Sequence, residues 1–240
     1  MGRIVLVTGT DTGVGKTIVA AWLAWLTPRS QRVALVKAVQ TGADPLVDGD
    51  EAFYRAALAG HPITMTTLAT FSEPMAPSIA ARRAGKRVRG GDLASSCMEI
   101  AQDHDLTIVE GSGGLMVPID EDTNFADFAG ALGATLVLVI RPGLGTLNHT
   151  TLTLEAAVRR NLSIEMLVCN GVAAKPRAVE IENLRFFRHH YPEIPLITLR
   201  RLRRASLHRL SLLRPRLLGD PPPLIQGSML ERMELLPPGL

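Results

Sequence analysis

Gly9-Thr10-Asp11-Thr12-Gly13-Val14-Gly15-Lys16-Thr17 follows the apolar run Ile4-Val5-Leu6-Val7 and precedes a helical pattern over residues 18–26. Strand, glycine-rich loop and helix in that order make a phosphate-binding loop, because the loop's backbone N–H groups and the first helical turn then face one point. Glycine lets that backbone approach a ligand with no Cβ in the way. Lys16 brings a point charge to the outer phosphates of a nucleotide, and the Thr17 hydroxyl can hold a magnesium ion. The usual spacing, G-x-x-x-x-G-K-T, asks for glycine at position 10. This chain has Thr10 there, and its first glycine comes one residue early.

Outward from the loop, further strands end in polar residues, where ligands bind in open α/β sheets. Val33-Ala34-Leu35-Val36 suits a buried parallel strand and leads into Lys37-Ala38-Val39-Gln40-Thr41-Gly42. Leu106-Thr107-Ile108-Val109 ends in Glu110-Gly111-Ser112-Gly113-Gly114. An acid at that end of a strand is the usual metal-side carboxylate of a phosphate-binding fold. Residues 135–140 are apolar and β-branched, and Arg141-Pro142-Gly143-Leu144-Gly145-Thr146-Leu147-Asn148 then opens a helix to residue 160. Residues 164–169 form a fifth strand ending in Asn170-Gly171, and 196–199 a sixth. Helical patterns cover 52–59, 93–102, 124–132 and 177–190, with Asp92 as N-cap of the second. Asp44, Asp48, Asp50 and Glu51 precede the first of these; one acid there can face the metal. Residues 43–75 are otherwise less regular, and Glu73-Pro74-Met75-Ala76-Pro77 reads as an extended loop. The fold class is α/β: a P-loop NTPase-like, mostly parallel sheet flanked by helices on both faces. No repeat or linker interrupts residues 1–240, so the whole chain reads as a single domain.

The composition agrees: 240 residues, 46% hydrophobic and 20% charged, suit one α/β domain. No apolar run reaches the length of a membrane span, and Met1-Gly2-Arg3 leads straight into a strand. A cytoplasmic protein without signal peptide or membrane partner is expected. Cys97 and Cys169 lack the spacing of a disulfide framework or metal site and read as small buried apolar residues. Residues 200–240 hold eight arginines against Asp220, Glu231 and Glu234 and carry most of the positive charge. Within 200–216, Leu202, Leu207, Leu210 and Leu213 have helical spacing and no aromatics interleave. This basic, proline-containing segment therefore reads as a solvated helix face or loop, with no nucleic acid expected.

The loop G-T-D-T-G-V-G-K-T, then K-A-V-Q-T-G, E-G-S-G-G, G-L-G-T-L-N-H and N-G, each at a strand end and in this order, resemble dethiobiotin synthetase over about residues 3–199. The resemblance implies an ATP-dependent cyclo-ligase of biotin biosynthesis. It would close a cyclic urea on 7,8-diaminopelargonic acid with CO2, releasing ADP and phosphate. The implied path runs through a carbamate and a carbamic-phosphoric mixed anhydride. Such crowded negative charge calls for cations and backbone dipoles rather than a covalent nucleophile.

The resemblance also implies the site. Thr12, Gly13, Val14, Gly15, Lys16 and Thr17 would wrap the phosphates of ATP, and Asn170 would contact adenine. Lys16 and Lys37 would neutralise the γ-phosphate and the carbamate, with Thr41 touching either. Thr17, Glu110 and Asp50 or Glu51 would surround Mg2+. Gly111, Gly113 and Gly114 would pass the diamine. Gly145, Thr146, Leu147 and Asn148 would clamp the substrate carboxylate from the neighbouring subunit of a homodimer. Ala38, Ser78 and Arg141 depart from residues frequent in the family. The rival reading is a switch ATPase of the partitioning or septum-positioning type. Such proteins carry a second lysine five residues before the loop lysine; here that residue is Asp11.

Overall fold

The structure, a computed structural model, describes residues 2–43, 49–202, 210, 216–218 and 224. The chain runs β1 (Arg3–Gly9), α1 (Lys16–Leu26), β2 (Val33–Lys37), β3 (Gln40–Thr41), α2 (Asp50–Ala57), β4 (Ile63–Thr67), β5 (Thr70–Phe71) and α3 (Pro77–Arg83). It continues through α4 (Gly90–Gln102), β6 (Leu106–Glu110), α5 (Phe125–Leu132), β7 (Thr135–Ile140), α6 (Thr146–Val158), β8 (Ile164–Val172), α7 (Ala178–His190), β9 (Leu196–Arg200) and β10 (Arg216–Leu218). Eight strands make the main sheet, in the order β10-β9-β8-β7-β1-β6-β2-β4. All neighbours are parallel except β10, which pairs antiparallel with β9.

The six expected strands form the middle of this sheet, and β4 is an addition. Its Ile63-Thr64-Met65-Thr66-Thr67 pairs in register with Val33 to Lys37 along one side only. An edge strand needs no continuous apolar run, so three threonines hide it from a search for buried strands. Proline produces the second difference. Pro77 opens α3 rather than prolonging a loop, because the first helical position needs no N–H. The third concerns α4: Arg89 is its N-cap and Asp92 sits in the first turn. The Gly90 N–H donates instead to Asp120 Oδ2 at 2.6 Å.

Alternation along β1 divides the core between the two faces. Val5 and Val7 pack with α1 and with Tyr54 and Leu58 around α2, while Ile4 and Leu6 pack against α3, α4 and α5. Helices α6 and α7 cover the β7–β9 part of the second face through Leu154, Leu184 and Phe187. On the α1 face, Leu210 and Leu224 are buried in the core and Leu202 packs against it. The Leu224 N–H donates to Glu165 Oε1 at 2.6 Å, tying the C-terminal segment to β8. Burial of a side chain of that size contributes about 1.5–3 kcal/mol, so Leu210 and Leu224 each add to the stability of this face of the core. The helical reading of 200–216 falls mostly outside the described residues, and β10 begins at its last residue, Arg216. No helix among the described residues is long and apolar enough to cross a membrane.

Candidate active site

Three neighbouring strands bring the chemistry to one level. Glu110 closes β6, in register with Lys37 at the end of β2 on one side and with Val7 of β1 on the other. The glycine-rich loop leaves β1 just beyond and ends at Gly15, the N-cap of α1, with φ 96°. That left-handed backbone favours glycine, and a Cβ there would stand 2.0 Å from Asn170 Nδ2. The Asn170 amide donates to the Val14 carbonyl at 3.0 Å and so braces the loop from the end of β8. Val14 points its side chain into the core, leaving its backbone to the loop. Lys16 Nζ donates to the Asp11 carbonyl at 3.1 Å, and among the described residues no carboxylate reaches it within ion-pair distance.

Beside the loop lies a cluster of buried polar groups. Glu110 is 1% exposed. Its Oε1 accepts from Thr17 Oγ1 and from Lys37 Nζ, both at 2.9 Å, and its Oε2 accepts from the Tyr54 hydroxyl. Lys37 also pairs with Asp50, at the start of α2. A buried charge is tolerated only when paired and hydrogen-bonded, and here each member satisfies another. Of the two acids opening α2, Asp50 is the one that faces Lys37. Glu51 is drawn away by Arg55 at 2.5 Å and by the Thr67 hydroxyl at 2.8 Å. Gln40 fixes the start of the helix, its Oε1 accepting the Asp50 N–H at 3.1 Å.

Electrostatics separate the two lysines. Burial, helped by the nearby Lys37 charge, lowers the Lys16 ammonium below its ordinary value of 10.5, against the partial pull of Glu110, Asp50 and Asp11. Burial would also lower Lys37, but Glu110 and Asp50 outweigh it and the net direction is upward. Burial and then the Glu110 charge push the Tyr54 phenol well above its ordinary value, which keeps it a donor. Burial likewise pushes the Cys97 thiol up to about 12 and Cys169 upward, so neither is an activated nucleophile.

Both lysines, with Asp50 and Glu110, line a cavity of about 410 Å³. Thr12, Gly13, Gly15, Lys16 and Thr17 form one wall. Lys37, Thr41, Asp50 and Glu110 form another, with Gly113 above. Ile18, Gln40, Phe53 and Ser112 also line it; Gln40 and Ser112 sit inside the strand-end motifs, but the sequence reading gave none of the four a role. Gly111 and Gly114 serve close packing: a Cβ would stand 3.2 Å from the Phe125 ring at Gly111 and 3.3 Å from the Gly9 carbonyl at Gly114. Gly145, Thr146, Leu147 and Asn148 open α6 away from this cavity. Thr146 is fully buried beside Thr150, Leu147 packs against the α6–α7 core, and Asn148 is exposed. From the same loop, Arg141 reaches Asp11 at 3.7 Å and His149 Nδ1 at 3.1 Å.

Cations, inward-facing backbone and hard oxygen ligands in one crevice suit a polyphosphate with a small divalent cation. Two carboxylates and a hydroxyl match Mg2+, which takes one or two carboxylates and completes its shell with phosphate and water. Residues 3–204 match a family model described as an AAA domain. The chain is 45% identical to the ATP-dependent dethiobiotin synthetase BioD of Saccharopolyspora erythraea over 174 residues, 72% of this chain and 76% of that protein. It is 43% identical to the BioD of Rhodococcus erythropolis over 180 residues, 74% and 79% of the two chains. Among solved structures, apo McdA from Cyanothece superposes with a TM-score of 0.59 at 13% identity, covering 88% of this chain and 92% of that one. The cell-division ATPase MinD of Pyrococcus furiosus gives 0.54 at 20% identity, covering 83% and 84%. At those identities the likeness is one of fold.

Proposed function

The chain belongs to the dethiobiotin synthetase family, and from that premise we propose how its crevice divides the work of ring closure. The protein is an ATP-dependent ligase that makes dethiobiotin in biotin biosynthesis. In our reading its substrates are 7,8-diaminopelargonic acid and CO2. Residues Thr12 to Thr17 wrap the nucleotide phosphates, with Lys16 on the outer ones. Asn170, already against the loop at Val14, meets the adenine. Thr17, Asp50 and Glu110 would hold Mg2+, which would supply positive charge against the nucleotide phosphates.

The other half of the crevice serves the acceptor. One amine of the substrate takes up CO2 as a carbamate, whose oxygen is a poor leaving group. Lys37 and Thr41 hold that carbamate against the γ-phosphate, and Lys16 neutralises the charge on transfer. Phosphorylation turns the carbamate oxygen into a phosphate leaving group. The second amine then attacks the carbonyl, closes the urea and releases phosphate. Ser112 and Gly113 border the diamine, while Gly111 and Gly114 let the surrounding backbone close up. The chain's contribution is position and fixed charge in a site sheltered from water.

Gly145, Thr146, Leu147 and Asn148 grip the substrate carboxylate from the second subunit of a homodimer, where the opening of α6 supplies N–H donors. Two features support this reading: the loop does not line its own chain's cavity, and Leu144 beside it and Leu152 and Val158 farther along α6 are 85%, 56% and 65% exposed. Mixing Lys37→Ala subunits with subunits disabled at residues 145–148 then restores activity in part. No rescue in verified heterodimers defeats the trans arrangement.

The observation that carries the site assignment is Lys37, buried between Asp50 and Glu110 two strands over from the phosphate loop. ADP release measured with and without the diamine and bicarbonate tests it. Release is expected only with both present, one ADP per ring closed; equal release without the diamine contradicts the assignment.

A further inference from the structure

Helix α2 delivers two groups to one site. Asp50 opens it, and Tyr54, four residues on, lies on the same face. Tyr54 is the buried residue of this helix. Its hydroxyl donates to Glu110 Oε2, while Thr17 and Lys37 share Oε1. The phenol therefore decides which oxygen of Glu110 faces Thr17 and the cavity. It is also the buried anchor of the helix whose first residue, Asp50, meets Lys37. The N-terminus of α2 has no side-chain cap of its own; Tyr54, the Gln40 contact to Asp50 and the Thr67 bond to Glu51 hold that end of the helix.

We propose that Tyr54 is a positioning residue for the magnesium-nucleotide site, holding Glu110 directly and Asp50 through the register of α2. The proposal rests on the reading of Glu110 and Asp50 as metal-side carboxylates. Groups that orient a metal's ligands govern affinity even though they do not touch the metal. Tyr54→Phe keeps the ring in the core and removes only the donor.

The test is calorimetric titration of ADP at a series of Mg2+ concentrations and in EDTA, with thermal melts in EDTA alongside. Tyr54→Phe is expected to raise the Mg2+ concentration giving half of the full affinity gain on the order of tenfold, with ADP affinity in EDTA unchanged. Leu58→Val, a packing lesion at the other end of α2, is expected to lower the melting temperature without moving the Mg2+ dependence. An unmoved Mg2+ dependence in Tyr54→Phe overturns the proposal, and so does an equal shift in Leu58→Val. Glu110→Gln separates the two readings. If it too leaves the Mg2+ dependence unmoved, the metal-site assignment falls. If it moves the dependence and Tyr54→Phe does not, only the role of Tyr54 falls.

Discussion

Lys16 and Lys37 are both buried ammonium groups in one cavity, yet the phosphate loop and the β2–β6 crest treat them oppositely. The loop gives Lys16 one carbonyl and no carboxylate among the described residues, and burial lowers its pKa. The crest gives Lys37 two carboxylates, which raise it. A cation held with too few partners is set to receive an anion from outside. A cation already paired is part of the fold, and it can turn to a substrate only when something else neutralises Asp50 and Glu110. The loop is thus built for a ligand with its own negative charge, and the crest for exchanging one set of partners for another.

The largest expected effect leaves the two lysines alike. Lys16→Ala and Lys37→Ala each lower turnover about a thousandfold or more, read as kcat at saturating substrate. A near-normal rate in Lys37→Ala removes it from the chemistry. Stability then separates them. Lys37→Met strands two carboxylates, one of them fully buried, and is expected to cost about 3–5 kcal/mol in urea unfolding. Lys16→Met removes a charge that burial disfavours and leaves stability unchanged or slightly higher.

The pH dependence sharpens the contrast further. With its pKa below 10.5 in the free protein, Lys16 is partly neutral in the alkaline range, and bound phosphates favour its charged form. ADP binding therefore takes up a proton there, and affinity falls as pH rises through the lowered pKa. Calorimetry in buffers of different ionisation enthalpy reads this directly, and Lys16→Ala abolishes it. Lys37 has the opposite sign. Its contribution to stability is complete below 10.5 and is lost only as pH rises through its raised folded-state value.

The smallest effect comes from a carboxylate held by neutral donors. Asp120 accepts N–H groups from Gly90, Asp122 and Thr123. Its slight burial would raise its pKa, but those bonds prevail and lower it. Asp120→Ala is expected to cost about 1 kcal/mol of stability with no change in ADP affinity. The stabilisation by Asp120 is present above its unfolded value and fades as pH falls through the lowered one.

The middle of the sheet was legible because buried parallel strands are continuous apolar runs, and their polar ends announced the crevice. Lys37 and Glu110 could be read this way because each follows such a run directly, and Lys16 and Thr17 because a glycine-rich loop joins such a run to a helix. The edges were not. Thr64, Thr66 and Thr67 disguise β4, and β10 follows a basic stretch that carries no strand pattern. Choosing Asp50 over Glu51 required the partners of Glu51, Arg55 and Thr67, the latter on the unrecognised strand. Tyr54 belongs to no motif; its spacing of four from Asp50 was the available signal, and only the approach of Glu110 gives it meaning.

The division of labour between loop and crest is tested most directly by ADP affinity, in Mg2+, of the two alanine variants at neutral pH. ADP carries no γ-phosphate, so it engages the loop and leaves the acceptor half empty. Lys16→Ala is expected to weaken ADP on the order of a hundredfold, the loss of a charge-assisted contact in a sheltered site. Lys37→Ala is expected to bind it within about fivefold of the unaltered protein, while its turnover is lost. Equal losses in the two variants, or a larger one in Lys37→Ala, contradict the account.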